Sequence, residues 1–160
     1  MKFPKGVFTR SRGDWAVANI MGGSAFQAGA GALLSYVELY NNANDGSSLI
    51  VLGLQGWAQS ASSTFFIETY KGQNGTPATS PPAPIDPSRP YGPGQIGTFT
   101  RATCIGNHIF EMGGANLPYF WPYQFPVAVV PAGYSLALQA ALAAVAQQAA
   151  FYWTWSTRPY

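Results

Sequence analysis

Cys104 and His108 are the only cysteine and the only histidine in the chain, and they stand four residues apart. A thiol and an imidazole at that spacing could pair as nucleophile and base. The one acidic group close by in sequence is Glu111, and the pair reads as structural. One histidine rules out a multi-histidine metal centre, and the two residues cannot supply four ligands, so no metal or cofactor is expected. The six carboxylates, Asp14, Glu38, Asp45, Glu68, Asp86 and Glu111, are scattered singly. On neighbouring strands Glu38 and Glu68 would imitate a glycosidase pair, but so few carboxylates on a whole domain are expected on a solvated face. No glycine-rich phosphate loop with its lysine is present, and Gly92-Pro93-Gly94 reads as a loop spacer. The expectation is a protein that is not an enzyme.

Two short motifs carry little. Arg12-Gly13-Asp14 matches an integrin-binding tripeptide that arises readily by chance, and Asn74-Gly75-Thr76 has the form of a glycosylation sequon but reads as a turn. The aromatic cluster carries more. Tyr119, Trp121 and Tyr123 alternate, with Pro118 and Pro122 stiffening the chain around them. They could cap a core, form an intersubunit contact, since Trp and Tyr dominate interface energetics, or make a sugar-stacking platform. Trp153 and Trp155, near the end of the chain, are a second candidate contact element.

Composition points the same way. The 160 residues are 48% apolar and 15% aromatic, which argues against wholesale disorder. Only 9% are charged, against about a quarter in an ordinary globular chain. A free monomer keeps itself soluble with a mixed, charged exterior, whereas interface cores are depleted of charge and rich in aromatics. The surface expected here is one covered by partners. The formal charge of +2 does not argue for nucleic acid. Lys2, Lys5, Arg10 and Arg12 crowd the first twelve positions as a basic arm, read either as a solvated tail or as a docking element for an acidic surface. No secretion signal is evident. The most apolar stretch, Tyr134 to Trp155, is broken by Gln139, Gln147 and Gln148 and falls short of a membrane span.

Strand signals dominate the elements that must position these residues. Short candidates lie at Val7–Arg10 and Ala16–Ile20, and Met21-Gly22-Gly23-Ser24 breaks the chain. Leu33–Tyr40 alternates, with Leu33, Val37 and Leu39 on one face and Tyr36, Glu38 and Tyr40 on the other. The turn-forming run Asn41–Gly46 predicts a hairpin to Ser48–Leu54. Thr64–Tyr70 is β-branched and aromatic. Residues 71–96, dense in proline and glycine, form a long loop in which Asp86 starts a turn at Pro87 and Tyr91 is the aromatic able to pin it. Gly97–Cys104 and His108–Met112 follow as strands joined by a turn near Gly106-Asn107, then Val127–Val130, Tyr134–Gln139 and Ala150–Ser156, with Phe151, Trp153 and Trp155 on one face. Ser135–Ala149, rich in Ala, Leu and Gln, would read alone as a helix; its all-β setting favours strand, loop, strand. The organisation expected is an arm over 1–15 and a β-sandwich over 16–160. Jelly-roll and immunoglobulin-like sandwiches both fit, and the missing Cys…Trp…Cys pattern favours the jelly roll.

Phe125-Pro126-Val127-Ala128-Val129-Val130-Pro131-Ala132-Gly133-Tyr134-Ser135-Leu136-Ala137-Leu138, followed by Phe151-Tyr152-Trp153-Thr154-Trp155, resembles the closing strands of small jelly-roll proteins of tailed bacteriophages. The likeness is to capsid decoration (cement) proteins in particular and covers about thirty residues. It implies a homotrimer on the outside of the virion head, bound to the major capsid protein and stabilising the head by bridging its subunits. Neither nucleic acid nor membrane is an expected partner. The alternative is a tail or fibre module that binds a receptor or glycan.

Overall fold

The computed structural model describes residues 19–59, 64–113, 119–120 and 127–156. These form an all-β sandwich. Its strands are β1 (Met21–Gln27), β2 (Leu34–Tyr40), β3 (Ser48–Ala58), β4 (Thr64–Lys71), β5 (Thr76–Pro77), β6 (Ala83–Pro84), β7 (Gln95–Arg101), β8 (Asn107–Gly113), β9 (Tyr119–Phe120), β10 (Ala128–Val130), β11 (Tyr134–Ala140) and β12 (Gln147–Ser156). The first sheet runs β10-β3-β12-β1-β6, with β9 also paired to β3; the second runs β5-β7-β2-β11-β4-β8. The long pairings are antiparallel and nested: β1 with β12, β2 with β11, β3 with β10, β4 with β8. Successive strands therefore alternate between the two sheets over much of the chain.

The core forms where the inward faces meet. Val37, Leu39, Phe65, Ile67, Leu136 and Leu138 from the second sheet pack on Leu49, Val51, Leu54, Phe151 and Trp153 from the first. Each such side chain contributes about 1.5–3 kcal/mol through burial. A bulge keeps β3 in this core along its whole length. Trp153 pairs with Val51 but Tyr152 pairs with Gly53, so Leu52 is the extra residue. The inward set accordingly switches from Leu49 and Val51 to Leu54, Gly56 and Ala58. Gln147, fully buried, ties the sheets together by donating from Nε2 to the carbonyls of Ser35 (2.7 Å) and Leu138 (2.9 Å).

Strand, loop, strand holds for 135–149. Leu136, Leu138 and Ala140 face the core while Ala137 and Gln139 are buried on the opposite face. A strand covered on both sides shows little alternation, which is why the segment has a helix-like composition. Four expectations about local structure are corrected. Met21–Ser24 is not a break but the start of β1, because Gly23 lets Ile96 and Pro82 pack against the backbone. Asn19 lies in a turn and Ile20 is irregular, so the strand expected over 16–20 is not seen in its described part. Asn41–Gly46 does turn, with Asn41 buried and its Nδ2 donating to the carbonyls of Ser47 and Val130. It crosses between the sheets instead of closing a hairpin, since the partners of β3 are β12 and β10. β7 and β8 likewise do not pair, for β2, β11 and β4 lie between them.

The long loop is built into both sheets. Thr76–Pro77 pairs with β7, and Ala83–Pro84 pairs with β1. Proline suits such edge positions because it has no N–H left to pair. Asp86 does start a turn, accepting from the Ser88 amide (3.0 Å) and hydroxyl (2.7 Å) and from the Arg89 side chain (3.3 Å). These bonds, the Ser88 hydroxyl's first, hold its carboxyl below its ordinary pKa. Tyr91 does not pin the loop, being 71% exposed. Gly92-Pro93-Gly94 does. Trp153 Nε1 donates to the Pro93 carbonyl (2.8 Å), and a Cβ on Gly92 or Gly94 would run into the Trp155 or Trp153 ring.

Candidate functional site

Glu38 and Glu68 are the two carboxylates that the fold treats specially. β2 and β4 flank β11, and Ala137 is the register partner of both residues, so the three form one row on the outward face of the second sheet. Both glutamates are completely buried, contrary to the solvated face expected for them. Two loops close over them. Asn74 and Gly75 donate their amides to the Glu38 carboxylate, and the Tyr70 hydroxyl donates to its other side (2.6 Å). With three donors on it, this buried carboxyl group has its hydrogen bonds met. Burial pushes the Tyr70 hydroxyl far above its ordinary pKa, and the Glu38 charge adds to the shift.

At the other end of the row, residues 102–106 pass over the sheet from β7 to β8. Gly106 donates its amide to one Glu68 oxygen (3.1 Å), and His108 Nε2 lies 2.7 Å from the other. This contact depends on a second bulge. Ile67 pairs with Phe110 but Glu68 pairs with His108, so Ile109 is the extra residue. Without it His108 would fall on the opposite face, because a slip of one residue reverses a strand. The ring stacks on Phe66 (4.2 Å between centroids, 9° between planes). Cys104 comes from the crossing segment, and its sulfur, the His108 imidazole and the Glu68 carboxylate have ligand atoms within 4.8 Å of one another. Among the described side chains the acidic partner of the Cys104–His108 pair is thus Glu68, remote in sequence. Beside them Tyr36 is fully buried, stacked on Phe99 at 4.5 Å, with its hydroxyl donating to Gln139 Oε1 (3.1 Å). Burial first, then the Glu68 charge, raises the Tyr36 pKa.

The first sheet presents a different surface. None of the residues of β1, β3, β6, β9, β10 and β12 is charged. On its outward face Phe26, Gln148 and Trp57 form one row, Ser24, Ala150 and Gln55 the next, and Gly22, Tyr152 and Gly53 a third. Phe26 is 56% and Val129 40% exposed. Along the β1 edge a cleft of about 420 Å³ opens beside Ser24, Phe26, Gln148, Thr76 and Thr98.

The expected contact residues are brought together only in part. Trp153 is corrected: it is fully enclosed in the chain's own core and has no surface to offer a partner. Trp155 is half-buried, packed against that core. Tyr119 pairs through its backbone with Gly56. Lys2, Lys5, Arg10, Arg12, Trp121 and Tyr123 lie outside the described residues, as does the strand expected at 7–10. No helix among the described residues is long and apolar enough to cross a membrane. No protein-family model, curated protein or solved structure matches the chain.

Proposed function

We propose that the protein is a virion structural protein that packs by its uncharged sheet onto copies of itself and onto the major capsid protein, on the exterior of the head, as a decoration protein does. The observation that carries this reading is the first sheet, whose strands hold no charged side chain while Phe26 and Val129 stay open to solvent. A surface of that kind is costly to leave in water and suited to burial against a partner. Two further observations support it. The nested pairing orders the facing sheets β1-β12-β3-β10 and β2-β11-β4-β8, an order that suits the jelly roll expected of a decoration protein. The basic run Lys2, Lys5, Arg10 and Arg12 supplies an arm for an acidic capsid surface, in a salt-sensitive way. The protein works by contact and not by catalysis, and the trimer is the assembly that the phage resemblance implies.

A second reading is favoured by the cleft beside Phe26. Hydroxyls of Ser24, Thr76 and Thr98 and the Gln148 amide, next to an exposed aromatic ring, suit a neutral sugar. On this reading the protein is a tail or fibre module that recognises a glycan. Electron cryomicroscopy of particles purified from cells that produce the chain separates the two. Density for the sandwich on the head exterior is expected. Density at the tail transfers the case to the second reading, and particles lacking the chain overturn both.

A further inference from the structure

We infer that Glu68, Cys104 and His108 form a binding site for one divalent transition-metal ion of the zinc class. Their ligand atoms already lie within 4.8 Å of one another. Around tetrahedral zinc, with bonds of about 2.0–2.3 Å, donor atoms sit roughly 3–4 Å apart, so small rotations of the two exposed side chains close the set. The third ligand is fixed in advance. Glu68 is fully buried, and its second oxygen is held by the Gly106 amide. His108 is oriented twice over, by its stack on Phe66 and by the bulge at Ile109 that turns it toward Glu68. Thiolate, imidazole and carboxylate together favour zinc over magnesium or calcium, which take oxygen donors.

In the metal-free chain His108 Nε2 and Glu68 Oε1 are in direct contact at 2.7 Å. Binding puts the ion between them, with His108 neutral and its ring proton on Nδ1, any further proton on the ring or the carboxyl passing to solvent; the thiol proton of Cys104 is released to solvent as the metal–sulfur bond forms. The outer side of the site, where Cys104 and His108 are exposed, leaves a fourth position for water. The bound ion joins β4, β8 and the segment that crosses between β7 and β8, and so stabilises the folded chain by mass action.

Titration of the metal-free full-length chain with Co2+, followed by displacement with Zn2+, tests the site. One ion per chain and a thiolate-to-cobalt charge-transfer band are expected. That band can come only from Cys104, the sole cysteine. Cys104→Ser should abolish the band, and His108→Ala should weaken binding by more than about tenfold. Zn2+ should raise the melting temperature of the wild type and not of Cys104→Ser. The exposed position of Cys104 lets that variant fold, and its circular dichroism checks that it has. A wild-type chain that gives no charge-transfer band, or a folded Cys104→Ser that binds Co2+ as tightly as wild type, overturns the site.

Discussion

Glu38 and Glu68 lie on either side of Ala137 in one row of the second sheet, and neither reaches solvent. Each is covered by a different loop that donates a glycine amide to it: Gly75 to Glu38 and Gly106 to Glu68. The row works as a pair of anchors. One fixes the start of the long loop, and the other fixes the segment that carries Cys104 over the sheet.

Replacing Glu38 should therefore be costly. Glu38→Ala leaves the Tyr70 hydroxyl and two backbone amides without their acceptor. The expected loss is about 3–5 kcal/mol, with Glu38→Gln losing less because it keeps one acceptor oxygen. Urea unfolding of the three proteins measures this, and a loss for the alanine variant below about 1 kcal/mol would mean that the clasp contributes little to stability.

The seat of the long loop on the tryptophans is testable at Gly94, where φ is +119° and a Cβ would lie 2.7 Å from the Trp153 indole. Gly94→Ala should cost about 2 kcal/mol or more and shift tryptophan emission to the red as the loop lifts. Gly133→Ala is the control. Its φ is +79° with open space around it, so it should cost about 1 kcal/mol and leave the emission unchanged. Equal emission from both variants would separate the loop from the indole.

Alkaline pH should loosen the second sheet. Tyr36 and Tyr70 have raised pKa values, through burial above all, from an ordinary 10.0. A raised folded-state pKa contributes stability that is complete below the unfolded value and declines as pH climbs past it. Unfolding free energy should therefore fall progressively above about pH 10, and the fall should be shallower in Tyr70→Phe. Denaturant titrations across that range check it. Identical slopes for the variant and wild type would place the sensitivity elsewhere.

Much of this was legible in the sequence where one face of a strand is core and the spacing is regular. Val37 and Leu39 against Tyr36 and Glu38, or Phe151 and Trp153 in alternation, announce their strands. Partners were less legible. The turn at Asn41–Gly46 is real, but turn chemistry does not decide which strand lies beside β3. The bulges at Leu52 and Ile109 change which residues face inward, and they exist only relative to β12 and β4. The burial of Glu38 and Glu68 was hidden for the same reason: the cover comes from segments distant in sequence, 72–75 and 102–106. The grouping of Glu68 with Cys104 and His108 had one sequence signal, the placement of the sole cysteine and sole histidine four residues apart.

Sedimentation of the purified chain shows whether the uncharged first sheet is an association surface. Phe26→Lys and Trp57→Lys place cations at the two ends of one outward row, Phe26–Gln148–Trp57. A lysine buried in an interface without a partner costs several kcal/mol, while from the exposed Phe26 position and the half-buried Trp57 position its long stem can carry the ammonium to water and leave the sandwich folded. Wild type should sediment as an oligomer at micromolar concentration, with three chains the number that the phage resemblance implies. The double variant should sediment as a folded monomer, with its circular dichroism unchanged. A wild-type chain that is a stable, soluble monomer, or a double variant that keeps the wild-type mass, would mean that the first sheet is not the surface through which the chain associates.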